Sequence, residues 1–374
     1  MKTTLKMAMT FAIVLAFVVT AVPLSDLGSS ESAADDSSFT ITDGNNCTFE
    51  FDGAVSKLVV FGYAACVTIA ETGNIDKIIG ADTYSQYNYY SDSRLETLNA
   101  YNLGSPYAKD FTAVETWLLQ QVQDGNFDKE KDAVIITSSS SANANLIPAL
   151  KEDGFVNVLF WGKLADYSGM INCVDSISQI AAGKTNNVKT QVDTIYGDVK
   201  SDVNSRNGET VPYIYLWYDS TNGIEIGTDA CLGSSMLNAA GGDNIASDAQ
   251  DTSGGFWYGG TSGLIQYLDT NPNAIIFIAD NFNMTGEQFC TEYLGGDTSH
   301  YVYVMEKNWN NYCLDSVKGL QTATEFFGTY VDSGNDNGNS NSNVTMYAVI
   351  VAIIIVVAVV GIGYYMYNKK KKDM

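Results

Sequence analysis

Nine aromatic residues stand where a small-molecule site could be built: Tyr63, Tyr84, Tyr87, Trp161, Trp217, Tyr218, Trp257, Tyr258 and Trp309. Most follow a short apolar run, as in Val59-Val60-Phe61-Gly62-Tyr63 and Tyr215-Leu216-Trp217-Tyr218, while Trp257 and Tyr258 sit in a glycine-rich loop. Open parallel sheets bind ligands beyond the carboxyl ends of their strands, so broad rings there suit a bulky, partly apolar ligand. Any single ring could equally cap a core, because a large side chain at a strand end often just packs. Their recurrence in both halves of the chain favours a shared cleft. Trp117, inside a helical stretch, reads as core.

Covalent or metal chemistry is poorly provided for. There is one histidine, His300, and no GxSxG, P-loop or HExxH pattern. The six cysteines (Cys47, Cys66, Cys173, Cys231, Cys290, Cys313) include no CxxC pair, so a structural zinc site is not expected. Disulfides can persist in an exported body, and the spacing leaves their pairing open. No catalytic residue and no resident cofactor are expected.

The elements that must position the rings follow a strand–helix rhythm. Lys57–Phe61, Lys77–Gly80, Ala133–Thr137 and Val156–Phe160 are strand-length apolar runs separated by helical stretches, which implies parallel sheet covered on both faces. A hairpin over Phe39–Phe51, turning at Asp43-Gly44, precedes them. From Ile171 to Arg206 the pattern is helical, interrupted near Gly183, with Val188, Val192, Ile195, Val199 and Val203 forming one apolar stripe. Strands resume at Pro212–Leu216, Ala274–Ile278 and Tyr301–Met305, and a final amphipathic helix covers Leu314–Phe327. The expected fold is α/β: two Rossmann-like lobes with mainly parallel central sheets, joined by one long α-helix.

The ends add addresses. Lys2 and Lys6 precede an uncharged run over Met7–Leu24, the form of a secretory signal or of an uncleaved anchor. Met346–Tyr367 is 22 residues without a charge, about 33 Å of helix, flanked by tyrosines and by Lys369–Lys372. This reads as a transmembrane helix with its lysine-rich end in the cytoplasm. The expected order is a leader over 1–34, a first lobe over 36–165, a helical connector over 166–208 and a second lobe over 209–330. A stalk over 331–345, the span over 346–368 and a basic tail over 369–374 complete it. Asn46-Cys47-Thr48, Asn283-Met284-Thr285 and Asn343-Val344-Thr345 have the form of glycosylation acceptors. A net charge of −23 repels nucleic acid and anionic headgroups.

The order and spacing of several loose motifs resemble one family: substrate-binding proteins of ABC importers whose lobes are joined by a rigid helix, the branch serving ferric siderophores, haem and cobalamin. The motifs are the D-G hairpin, Lys57-Leu58-Val59-Val60-Phe61-Gly62, Asn74-Ile75-Asp76-Lys77-Ile78-Ile79-Gly80-Ala81-Asp82, Leu237-Asn238-Ala239-Ala240-Gly241-Gly242-Asp243-Asn244 and Asn271-Pro272-Asn273-Ala274-Ile275-Ile276. The resemblance implies a non-enzymatic receptor that delivers a metal chelate to a permease and its ATPase, docking through one glutamate per lobe. Glu115 fits the first position; the matching second-lobe helix, Ser262–Asp269, carries Gln266 instead. With two arginines in the chain, Arg94 and Arg206, and little beyond Lys307 in the expected cleft, a neutral or weakly charged chelate such as a corrinoid or ferric hydroxamate fits better than an anionic catecholate. A surface sensor and a metal-dependent hydrolase or chelatase are the alternatives. The short tail counts against the first, the single histidine against the second.

Overall fold

The computed structural model describes residues 38–335 apart from 109, 138–140 and 163–165. Both terminal apolar segments, the leader, most of the stalk and the basic tail lie outside the described residues. Among the described residues no helix is long and apolar enough to cross a membrane.

The hairpin forms as expected, β1 (Phe39–Thr42) against β2 (Thr48–Phe51), with Phe39 opposite Phe51. Its turn is tied to the first lobe. Asp43 accepts from the amides of Asn45 and Cys47 through Oδ1 and from the Phe160 amide through Oδ2. Gly44 donates to Phe160 O at 2.8 Å, and a Cβ there would stand 2.9 Å from that same oxygen.

The first lobe continues through β3 (Leu58–Phe61), α1 (Tyr63–Glu71), β4 (Ile78–Ala81), a single turn α2 (Tyr87–Tyr90) and β5 (Tyr101–Asn102). Then come α3 (Thr112–Gln123), β6 (Ala133–Ile136), α4 (Ser141–Glu152) and β7 (Asn157–Phe160). Its sheet runs β5-β4-β3-β6-β7, every pair parallel. In β3 every side chain is buried, Leu58 and Val60 in the core under one face, Val59 and Phe61 under the other. That two-sided burial is what a continuous apolar run encodes. The chain order reverses between β3 and β6, so a crevice opens at their carboxyl ends.

Next come α5 (Tyr167–Ala182) and α6 (Asn187–Ser205). They correct the expectation of one interlobe helix carrying the valine stripe. Val188, Val192 and Val199 of α6 pack into the second-lobe core. The helix that reaches both lobes is α5. Its Tyr167, Met170, Ile171 and Val174 join the second-lobe core, while Cys173, Ile177, Ile180 and Ala181 join the first. At its start the Tyr167 amide donates to Ser235 Oγ; at its end Lys77 Nζ donates to Ala181 O at 2.7 Å. Gly183, at φ 91°, ends the helix, and Asn187 Nδ2 returns to Glu71 O of the first lobe. The connector is an antiparallel helix pair.

The second lobe holds β8 (Val211–Asp219), β9 (Gly223–Gly227), α7 (Leu232–Ala239), β10 (Gly242–Asn244) and β11 (Phe256–Trp257). It ends with α8 (Gly260–Thr270), β12 (Ile275–Ile278), α9 (Gly286–Tyr293), β13 (Val302–Val304) and α10 (Leu314–Asn335). Its sheet is mixed, β11-β9-β8-β12-β13, with β10 beside the start of β8. The antiparallel β9 and β11 are additions to the expected parallel frame. Helix α10 runs past Phe327 because Tyr330 and Val331 still pack on the second-lobe core. All six cysteines are free thiols, five of them buried.

Candidate functional site

A cavity of about 600 Å³ lies between the lobes, at the carboxyl ends of β3 and β6 on one side and of β8 and β12 on the other. Its floor is set by Gly62, at φ 141°, directly after β3. A Cβ on Gly62 would stand 1.8 Å from Thr137 Oγ1, so only glycine lets β3 and β6 meet here. The Gly62 amide donates to Asp82 Oδ2 at 2.6 Å, and Asp82 also accepts from the Tyr84 amide and from the Ser85 amide and hydroxyl. Burial pushes the Asp82 carboxyl up, against those four bonds. All its bonding capacity goes to shaping the loop that carries Tyr84.

The first-lobe wall is tyrosine. Tyr63 opens α1 with its ring 4.6 Å from Tyr90; Tyr84 lies 4.5 Å from Tyr89 and 5.7 Å from Tyr107. Tyr89, Tyr90 and Tyr107 are exposed by 52%, 42% and 61%; Tyr90 and Tyr107 line the cavity, with the Lys307 ammonium 5.8 Å over the Tyr90 ring. The second-lobe wall brings Trp217, Asp280, Asn281, Lys307, Asn308, Asn310, Asn311 and Tyr312. Lys307 Nζ donates to Tyr90 O at 3.1 Å, and Asn310 Nδ2 to Tyr215 Oη.

Beneath this wall the lobes are locked together. Tyr63 Oη donates to Asp92 at 2.5 Å and accepts from Asn308 Nδ2 at 3.3 Å. Arg94 binds Asp92, Glu71 and Asp315 at once, and Asn308 also donates to Asp315. Burial alone would raise the Asp92 carboxyl; the bonds from Arg94 and Tyr63 outweigh it and hold Asp92 well below the usual carboxylate range. Burial and the bond to Asp92 push the Tyr63 hydroxyl well up, so it stays a donor.

Of the nine rings singled out in the sequence, Tyr63, Tyr84 and Trp217 line the cavity. Trp161 and Trp309 do not; they are 1% and 3% exposed and belong to the two cores. The hairpin turn covers Trp161, with Gly44 against its backbone and ring, and Trp309 lies flat on Gly319 of α10. Trp257 is in β11 and not in a loop; it packs on Gly259 and Gly263 with Tyr267 edge-on and does not line the cavity. Tyr87, Tyr218 and Tyr258 are partly exposed outside the cavity lining, Tyr218 packing on Phe282. Glu115 is in the first turn of α3, where burial and the neighbouring Asp153 carboxyl raise its own. Tyr90, Tyr107 and Asp280 are lining residues that the sequence did not single out. The Tyr84–Tyr90 tyrosine density was the available signal for the first of them.

The fold is a pair of α/β lobes with a cleft between them. No protein-family model matches the sequence, and no curated protein matches it. Solved structures do. The periplasmic catecholate-siderophore binding protein VctP of Vibrio cholerae is 11% identical with a TM-score of 0.54, covering 77% of this chain and 99% of that one. Helicobacter pylori CeuE with Ni(II) bound is 13% identical, TM-score 0.52, covering 76% and 87%. A periplasmic solute-binding protein of Veillonella parvula is 14% identical, TM-score 0.50, covering 77% and 85%. At these identities the likeness establishes the fold, and the resemblance drawn from the sequence is met at that level.

Proposed function

We propose that this chain is the extracytoplasmic substrate-binding component of an ABC importer, holding a bulky metal chelate in its interlobe cleft and presenting it to a permease. The observation that carries the proposal is the cleft itself: about 600 Å³, walled by tyrosines and Trp217, at the switch point of a parallel sheet. That volume suits a haem- or siderophore-sized ligand, and the open tyrosines at the mouth extend the stacking surface for a larger corrinoid. The proposed site residues are Tyr63, Tyr84, Tyr90, Tyr107 and Trp217, acting by shape and stacking without catalysis. Glu115 is the proposed first-lobe contact to the permease. The apolar segment over 346–367 is the proposed anchor, with the binding body outside the membrane.

Native mass spectrometry of the full-length protein, purified in detergent from its own cells, tests this. The expected result is a retained iron-, cobalt- or haem-containing small molecule released on unfolding. A protein that carries no ligand, and whose tryptophan fluorescence is unmoved by haem, cobalamin and a panel of ferric siderophores, would overturn it.

A further inference from the structure

Charge is distributed unevenly in the cleft. Two carboxylates line it. Asp82 is fully buried and its oxygens are taken by four donors from its own lobe. Asp280, two residues past the end of β12, is half-buried, and no described side chain hydrogen-bonds to it: backbone amides of its own turn bond to it, while the Lys307 ammonium and the Tyr215 hydroxyl act on it only through charge. Lys307 is the only cation among the described lining residues, and its ammonium is held by Tyr90 O. The arginines are committed elsewhere, Arg94 to three carboxylates and Arg206 to the carbonyls of Ala240 and Thr324.

Resting on the proposed receptor function, we infer that Asp280 is a specificity-determining residue and that the cleft selects a ligand bearing a positive charge, such as a ferric chelate with a free ammonium group. A carboxylate taken partly out of water with backbone amides as its only donors is held at a cost, and a cation arriving beside it offsets that cost through a charge-assisted hydrogen bond. The aromatic lining strengthens the case. Tyr84 and Tyr107 from the first lobe and Trp217 from the second line the same volume, and aromatic rings attract cations where they repel anions. At long range the −23 charge of the chain draws cations toward the cleft and repels anions. This sharpens the sequence-based expectation of a neutral or weakly charged chelate: the sign is positive.

Three probes decide it, titrated against the full-length protein in detergent and followed by tryptophan fluorescence: a ferric trihydroxamate with a terminal ammonium, the same chelate N-acetylated, and a ferric tricatecholate. The ammonium form should bind about tenfold or more tightly than its acetylated twin, and the anionic tricatecholate should bind weakest. Asp280→Asn should erase the difference between the twins, and a thermal melt matching that of the wild-type protein shows that the variant is folded. Equal affinity of the twins in the wild-type protein, or a preference for the tricatecholate, overturns the charge selection and leaves the receptor function standing. Failure of all three probes, together with haem and cobalamin, strikes the receptor function itself.

Discussion

Arg94 and Asp315, 221 residues apart in sequence, face each other through two parallel hydrogen bonds of 3.0 and 2.8 Å across the boundary between the lobes. This fork-to-fork geometry is the strongest form of a side-chain ion pair. Asp315 sits in the first turn of α10, so the clamp ties the last described helix to the loop after α2.

Breaking the clamp should loosen the interlobe seam. Arg94→Met leaves Asp92, Glu71 and Asp315 without their shared cation and should cost about 2–3 kcal/mol, below the fully buried value because the cluster is partly exposed. Asp315→Asn keeps an acceptor and should cost about 1 kcal/mol. Urea unfolding reads both; two values within experimental error of wild type would show that other contacts hold the seam.

The wild-type lobes should move little when ligand binds. The α5–α6 pair and the Arg94 clamp cross the boundary together, and neither offers the extended strands at which hinged lobes swing. Small-angle scattering should show a radius of gyration unchanged by ligand. A contraction typical of hinge closure would remove this expectation.

The tryptophans should separate into two classes. Trp217→Ala should weaken ligand binding by roughly 1 kcal/mol with little loss of stability, since its ring lines the cleft. Trp161→Ala and Trp309→Ala should each cost about 3–5 kcal/mol of folding free energy. Trp257→Ala should leave affinity unchanged. Paired melting and titration measurements distinguish the classes, and a large stability loss in Trp217→Ala would move it to the core.

Two glycines should respond in opposite directions. Gly197 is mid-helix in α6 with nothing within 4 Å of its would-be Cβ, so Gly197→Ala should stabilise by about 1 kcal/mol. Gly62→Ala meets Thr137 Oγ1 at a backbone angle that L-residues rarely adopt, and should cost about 1–3 kcal/mol from strain alone. Thr137→Ala added to Gly62→Ala should recover only the steric part. Denaturation midpoints of the three variants check this, and a neutral Gly62→Ala would mean that the floor is pliable.

Acid should release the clamp. The folded Asp92 carboxyl lies below its unfolded value near 4, so its stabilisation is fully present above about pH 5 and is lost as pH falls through the folded value. Unfolding free energies between about pH 5 and 2 should fall more steeply for wild type than for Arg94→Met. Parallel slopes would show that Asp92 is not what titrates.

Much of the scaffold was legible because buried parallel strands leave unbroken apolar runs, and β3, β4, β6, β7 and β12 were found that way; β13, a partly exposed edge strand, was found from its Tyr301-Val302-Tyr303-Val304 run. The strands β9, β10 and β11 were not, being held by pairing, β9 and β10 to β8 and β11 to β9, more than by their own composition. The bridge was misplaced for a physical reason. A helix seated on one core shows one stripe, as α6 does, whereas α5 spends its apolar residues on two cores and so shows none that stands out. Trp161 and Trp309 illustrate a second limit: position at a strand end does not say whether a ring turns outward to a ligand or inward under a hairpin or helix. Asp280 is a third. Its significance lies in what does not bond to it, and that cannot be read from spacing.

Tyr63 belongs to two assemblies at once, the ring wall of the cleft and, through its hydroxyl, the Arg94 clamp. Replacing it to suit a different ligand would also cut the hydrogen bond to Asp92 and disturb the joint between the lobes. Ligand preference in descendants of this chain is therefore freest to drift on the opposite wall, at Trp217, Asp280 and Asn281, and at Tyr107 on the rim. Tyr63, Asp92, Arg94, Asn308 and Asp315 should be inherited or lost as a block.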